Sequence, residues 1–408
     1  MRRVAITGLG AITAIGGTAA ETFEGSLRAR SGVRRAPELA VEAAVPLVAS
    51  AAFDPKDVRL RQRTAPMDRA TAMAVAVARQ AVDDAGPGLE CGSNRSGVYW
   101  GTGMGAASSL ESSYEGLFRN NIWRVKPTTV VTAMANAPAA QLSLEFGLRG
   151  PTLTYCVACA SSAVAIGEAF RAIRDGYIDC AIAGGSEALL TRGTMCAWMA
   201  LRTLAREDPI DAARSSKPFA ADRSGFVLGE GAAAIVLESV ESAAQRGAHV
   251  YAELAGYGIA SDGTHIADPS SEGQARAIAA ALDDARIGVG DVGYINAHGT
   301  ATVVGDRVEA ESICQVFGNR VATIPISSTK ALHGHAMGAT GAIEFIIAVL
   351  ALASGSIPPT AHLDHPDPNL GLDFVAEGAR HHLHLDAVLS NSFAFGGTNA
   401  VLVARKVA

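Results

Sequence analysis

The chain has 408 residues, 49% of them hydrophobic and 18% charged, with a formal net charge of −6. That balance suits a large, well-buried α/β core and excludes a disordered chain. The acidic total gives no global electrostatic support to nucleic-acid binding.

The opening run MRRVAITGLGAITAIGG predicts a short strand and a glycine turn, not a signal peptide, because no apolar core and cleavage site follow. It begins G-x-G, but a dinucleotide fingerprint needs a third glycine at position 13, where Thr13 stands. Next comes KDVRLRQR, with Lys56, Arg59, Arg61 and Arg63, which reads as a solvated loop or a local basic patch. Residues 68 to 86 predict an amphipathic helix opened by Asp68 and closed by Gly86. SGVYWGTG is a strand, PAAQLSLEFGLRG a helix, IDCAIAGGSEA a buried strand and GFVLGEGAAAIVLES a strand entered through a glycine turn. Helices alternating with strands argue for α/β sheets covered by helices.

The two halves echo each other. VACASSAVAIGEAFRAIRDGYID leads to GEGAAAIVLES, and GHAMGATGAIEFIIAVLALASGSI leads to FGGTNAVLVARK. Each half has a small-residue helix and later a glycine turn feeding an apolar strand. This predicts a duplicated unit, residues 1–245 and 246–408. The longest apolar stretch, AIEFIIAVLALASG, contains Glu344 and reads as too short for a bilayer span.

Six cysteines in so long a chain do not make a disulfide framework, so a reducing, cytoplasmic setting is expected. Residues 160 to 175 predict a helix with Ala163, Ile166, Phe170 and Ile173 on one face. Cys159 then sits at its N-terminus, where unpaired N–H groups and the helix dipole favour a thiolate. Cys156, in an apolar run, is expected to face a core, as are Cys180 and Cys196. A lone C-x-x-C pair is weak for zinc.

A cysteine nucleophile needs groups that move protons and hold negative charge. His298 follows an apolar strand on a Gly/Thr turn. His335 stands at the start of another small-residue helix. His381, His382 and His384 read as an exposed run. In SNSFAFGGTNAVLV, Phe393 and Phe395 bracket a turn leading to two glycines. Serine chemistry fits poorly. Ser327 to Lys330 satisfies S-x-x-K without a following K-T-G, and GGSEA breaks the G-x-S-x-G elbow at Ala188.

Taken with VAITGLGAITAIG, SKPFAADRSGFVLGEGA, NAHGTATVVGDRVEA and STKALHGHAMGATGAIE, in this order, the chain resembles the β-ketoacyl-acyl carrier protein synthases of the Cys-His-His class over nearly its whole length. The resemblance implies a thiolase-like, duplicated, five-layered αβαβα fold. It implies decarboxylative condensation of an acyl thioester with malonyl-acyl carrier protein, with no metal and no cofactor. Cys159 matches the nucleophile, His298 and His335 the histidine pair, and Lys330 the nearby lysine. Asp306 and Glu344 match supporting acids, and Thr300 and Thr302 match pantetheine contacts. The N–H groups of Cys159 and Phe395 match the oxyanion hole. Phe393, Ala394, Phe395 and Trp198 match the gate and acyl pocket. Ala394 replaces a usual glycine, His333 a usual threonine, and Trp198 a common phenylalanine, which points to a specialised acyl chain, for example of a polyene pathway. The basic patch, with Arg202, becomes a docking surface for an acidic carrier. A homodimer is implied, with a heterodimer containing a chain-length partner as its competitor. A non-catalytic chain-length subunit is disfavoured by Cys159 and both histidines. A thiolase is disfavoured because no cysteine follows Cys314.

Overall fold

The computed structural model describes residues 1–42, 44–60, 66–89, 93–119, 123 and 125–407. One sheet of ten strands runs through it. Five strands come from the first part of the chain: Val4–Ile12, Ser96–Gly101, Thr152–Tyr155, Cys180–Glu187 and Gly231–Ser239. From the middle of the sheet outward their order is first, fifth, fourth, second, third. The other five are Ala252–Ser261, Val292–Asn296, Ile326–Ser327, Ala387–Phe393 and Thr398–Arg405, and they repeat that order towards the opposite edge. The two first strands pair antiparallel, with Val4 opposite Leu254, and join the sets. Val33–Arg35, Leu47–Ala49 and Leu228–Gly229 form a small separate sheet.

Each set carries an outer helix pressed onto its first strand, and glycines make the approach possible. A Cβ on Gly8 or Gly10 would stand 2.0 Å from the carbonyl oxygen of Ala81 or Val77 on the helix Arg69–Ala85. On Ala252–Ser261, a Cβ on Gly256 or Gly258 would stand 2.4 or 2.0 Å from Ala281 or Ala277 of the helix Ser271–Ala285. The opening G-x-G is therefore a helix-packing surface inside a strand that continues to Ile12, not a turn. The predicted ends of the helix Arg69–Ala85 hold. Asp68 accepts from Ala70 N, and Gly86 closes it at φ +77°.

Two helices, Ser161–Arg174 and Thr340–Ser354, fill the middle and contact strands of both sets. They meet through small residues. Ala342 N donates to Ser162 Oγ at 2.9 Å, and a Cβ on Gly341 would lie 2.9 Å from that of Ala163. Their larger side chains, Ile166, Phe170, Ile173, Ile343, Phe345, Ile346 and Ile347, lie in the main core. Each fully buried side chain of this size contributes roughly 1.5–3 kcal/mol. Outer helices, strands, central helices, strands and outer helices give the expected five layers. Counted with the turn before it, Met337–Ser354 reaches 18 residues and is apolar enough to cross a bilayer by composition, but the fold buries 83% of it.

Candidate active site

Both central helices begin in the same way. A 3-10 turn, Ala158–Ala160 or Met337–Ala339, precedes each, and its first residue is left-handed: Ala158 at φ +48° and Met337 at φ +43°. A non-glycine residue in that region is strained, and such strain collects at functional sites. The two turns meet. Cys159 on the first lies with Sγ 3.9 Å from Met337 Sδ on the second. His335, two residues before Met337, brings Nε2 to 3.1 Å from Cys159 Sγ. His335 is held on the backbone by Val227 O and Gly229 N, at 2.8 and 2.9 Å, and on the ring by Thr340 Oγ1, 3.0 Å from Nδ1. His298 completes the group, with its ring centre 5.5 Å from that of His335 at 82°. One donor atom from each of Cys159, His298 and His335 lies within 4.8 Å of the others.

Burial sets the protonation of this group. The thiol of Cys159 is pushed up to about 11, chiefly by desolvation, with partial relief from the Lys330 charge and the N–H groups of Phe395 and of Cys159 itself. This corrects the expectation of a resting thiolate. The dipoles point the right way, but loss of water outweighs them. His298 and His335 are both held well below the ordinary histidine value, first by burial and then by Lys330. The resting site is thus a neutral thiol facing neutral imidazoles. His298 Nδ1 is buried without a hydrogen-bond partner among the described residues.

The turn carrying His298 is held by Glu309. Its carboxylate accepts from His298 N at 2.8 Å, Gly299 N at 2.7 Å and Asn391 Nδ2 at 3.1 Å. Lys330, fully buried, donates to the His298 carbonyl and to both oxygens of Glu344, at 2.6 and 2.8 Å. Glu187 accepts from Gly338 N at 3.0 Å, Met104 N at 3.3 Å and Thr102 Oγ1 at 3.2 Å, fixing the turn after His335. Asp306 stands apart from the trio. It accepts from Phe219 N at 2.7 Å and faces Arg223 at 3.9 Å. Desolvation raises Glu187, Asp306 and Glu344 to about 7.

A cavity of about 330 Å³ reaches the sulfur. Thr300, Thr302, Val303, Arg202 and Ile266 line it, with Trp198 and Phe395 beside Cys159. An aromatic chain walls it. Trp198 stacks on Phe395 at 6.4 Å and 20°, stands edge-on to Phe226 at 5.5 Å, and Phe226 stands edge-on to His335 at 5.3 Å. Thr302 caps the helix Val303–Phe317 and lies 3.0 Å from Thr300, hydroxyl to hydroxyl.

The family description "Beta-ketoacyl synthase, N-terminal domain" matches residues 1–243, and "Beta-ketoacyl synthase, C-terminal domain" matches residues 251–364. This chain belongs to the β-ketoacyl synthase family. Among curated relatives, the 3-oxoacyl-[acyl-carrier-protein] synthase 2 of Staphylococcus aureus (strain COL) is 39% identical over 99% of this chain and 98% of its own length. That of Synechocystis is 38% identical, with the same coverage. Among solved structures, the ishigamide ketosynthase/chain length factor superposes at TM-score 0.92 with 33% identity, covering all of both chains. A type II polyketide ketosynthase, solved with its acyl-carrier protein and bound to the hexaketide, gives 0.91 and 29%, again over all of both chains. The family, the fold class and the enzyme class read from the motifs, 3-oxoacyl-[acyl-carrier-protein] synthase, are borne out.

In this ketosynthase, then, Cys159, His298, His335, Lys330 and Glu344 form one cluster, while Trp198, Phe393, Ala394, Phe395, Thr300, Thr302 and Arg202 line its cavity. Lys56 and Arg59 are exposed but do not line it. Arg61 and Arg63 lie outside the described residues. Two cysteine expectations fail: Cys156 and Cys196 are exposed, and Cys156 Sγ sits 3.2 Å from Gly103 O. Thr152–Tyr155 is an edge strand and Cys196 faces outward from its helix, so neither apolar run is wrapped by this chain. His333 is buried with both ring nitrogens engaged, Nδ1 to Gly334 O at 2.8 Å and Nε2 to Thr329 Oγ1 at 2.9 Å. His381, His382 and His384 are exposed, as expected. The motif reading passed over Glu309 and Glu187. A signal for Glu309 was present: it lies one helical turn after Asp306 on the helix that follows the His298 turn.

Proposed function

We propose that this ketosynthase carries an acyl chain on Cys159 and extends it by decarboxylative condensation with malonyl-acyl carrier protein, giving a 3-oxoacyl-acyl carrier protein. The observation that carries this reading is the 3.1 Å approach of His335 Nε2 to Cys159 Sγ, with a second neutral imidazole beside it. With the thiol near 11, only about one sulfur in ten thousand is ionised at pH 7. His335 therefore takes the proton as Sγ bonds to the acyl carbon, then passes it to the departing pantetheine thiolate. The Thr340 hydroxyl serves both tautomers, accepting from Nδ1–H in this step and donating to Nδ1 once Nε2 carries the hydrogen.

In the second half, the C–C bond to the malonyl carboxylate breaks, carbon dioxide leaves, and its electron pair forms an enolate. The N–H groups of His298 and His335 stabilise the enolate oxygen. Each such donor is worth about 2.7–4 kcal/mol of barrier. The enolate carbon attacks the acyl carbonyl, whose oxygen is held by the N–H groups of Cys159 and Phe395. The C–S bond breaks, and the thiolate is reprotonated from solvent. The aromatic wall keeps water from the thioester and the enolate.

The rest of the reading follows from the same site. Thr300 and Thr302 contact the pantetheine arm, and Phe393 to Phe395 form the gate. Arg202 in the cavity lining, with Lys56, Arg59, Arg61 and Arg63, steers an acidic carrier protein. The open edge of Thr152–Tyr155, with Leu153 exposed, supports a dimer with a second copy. The matching strand orders support residues 1–245 and 246–408 as two copies of one unit. Cys156, Cys159, Cys196 and Cys314 form no disulfide among the described residues, which supports a reducing cytoplasm. The test is the purified chain alone with acyl- and malonyl-carrier proteins. Acyl mass on Cys159 and a 3-oxoacyl product are expected, and both vanish in Cys159→Ala. Absence of both from the unaltered chain would assign it the role of a chain-length partner.

A further inference from the structure

Cys159, His298 and His335 offer one sulfur and two imidazole nitrogens converging on the blind end of a cavity that opens to solvent. A tetrahedral zinc with bonds of about 2.3 Å to sulfur and about 2.0 Å to nitrogen sets its ligand atoms roughly 3.3–3.5 Å apart. Here Sγ to Nε2 of His335 is 3.1 Å, and no pair in the trio exceeds 4.8 Å. Side-chain shifts of about 1 Å or less bring all three onto one ion at that spacing. Thr340 Oγ1 on His335 Nδ1 is the kind of outer partner that orients a metal-binding imidazole. His298 Nδ1 has no hydrogen-bond partner to give up among the described residues. Lys330, whose charge bears on both imidazoles, is itself paired with Glu344.

We propose that these three residues form a closable site for a soft divalent cation, zinc above all, with three protein ligands and a fourth position open to the cavity. Binding forms the metal–sulfur bond and releases the thiol proton to solvent. It thereby withdraws the nucleophile reversibly, so zinc is an inhibitor and not a cofactor. The inhibition rests on the function proposed above; the binding does not.

The experiment uses the purified full chain with zinc or cobalt(II) alone, in buffer free of thiols and chelators. One cobalt per chain is expected, with an intense sulfur-to-cobalt absorption that disappears in Cys159→Ser and weakens at least tenfold in His298→Ala. Zinc should slow alkylation of Cys159 by iodoacetamide at least tenfold while leaving Cys156 and Cys196 reactive, and a chelator should restore the rate. Thr340→Val, which keeps all three ligands, should loosen zinc by about 10–100-fold. A cobalt spectrum unchanged in Cys159→Ser would overturn the proposal. So would alkylation of Cys159 that ignores zinc, which would place the metal on surface groups such as His381, His382 and His384. A metal-free chain that shows no condensation activity, yet develops the cobalt band when cobalt is added, would sink the catalytic reading and leave the metal site standing.

Discussion

Replacing Glu309 with glutamine tests how the His298 turn is built. The carboxylate accepts three hydrogen bonds, two of them from the adjacent N–H groups of His298 and Gly299. In Glu309→Gln one oxygen becomes an NH2 group and must face a donor. One charge-assisted bond is lost, at about 1.5–3 kcal/mol, and one buried N–H is left unpaired, at about 1–3 kcal/mol. Relief of a buried charge, in the direction shown by the raised carboxyl of Glu309, offsets part of that. The net cost is about 2–3 kcal/mol, which in a chain of this length lowers Tm by only about 3 °C. The larger effect falls on catalysis, because a 1 Å displacement of a reacting group costs about a hundredfold. Condensation kcat should fall about 10–100-fold with KM nearly unchanged. Transfer of the acyl group to Cys159, which uses His335, should survive. Rapid-quench mass spectrometry of Cys159 beside steady-state condensation separates the steps. A kcat within twofold of the parent, or loss of both steps together, would refute the reasoning.

Gly258→Ala places a methyl 2.0 Å from Ala277 O and should prevent folding or greatly lower Tm, whereas Gly290→Ala, with nothing within 4 Å, should leave thermal unfolding unchanged. Equal behaviour of the two would remove the close-packing argument. Trp198→Phe shortens the wall between Phe226 and Phe395 and should shift acyl-chain competition towards longer chains; an unchanged product profile would exclude Trp198 as a length determinant. Arg202→Glu should raise KM for carrier-bound substrate more than for a small thioester, and an equal rise for both would count against docking. For pH, Glu187, Asp306 and Glu344 sit near 7 in the fold against about 4 unfolded. Each of these carboxyls pulls stability down as pH rises from about 4 to about 7, while His298, His333 and His335, held low in the fold, pull it up as far as about 6.5, so denaturant midpoints should stay nearly flat over that interval. A midpoint that climbs or falls steeply across it would contradict the burial argument.

Local chemistry was legible in the sequence, and long-range geometry was not. The ends of the helix Arg69–Ala85 could be read because Asp68 and Gly86 act on their own neighbours. The small residues around Cys159 announced a close approach, which proved to be that of the helix Thr340–Ser354. The charge on the sulfur was misread because a dipole is written in the local pattern, whereas desolvation is imposed by segments as distant as Phe226 and Phe395. Glu309 and Glu187 were missed for a related reason. Their work is to receive N–H groups from other turns; the spacing of Glu309 from Asp306 is a partial sign of this, and Glu187 on its strand gives none. Cys156 and Cys196 were placed in a core on apolar context alone, which does not distinguish packing within a chain from a face left open.

The matched strained turns, Ala158 on one side and Met337 on the other, divide the reaction between the two ends of the polypeptide. A pair of identical ancestral modules meeting about a twofold axis would have been obliged to present the same residue from each side. Joining them in one polypeptide lifts that obligation, so one tip can specialise in sulfur while its counterpart brings imidazole. Neither fragment expressed alone would possess a functioning centre, and mixing the fragments would restore turnover only if that interior seam reassembled.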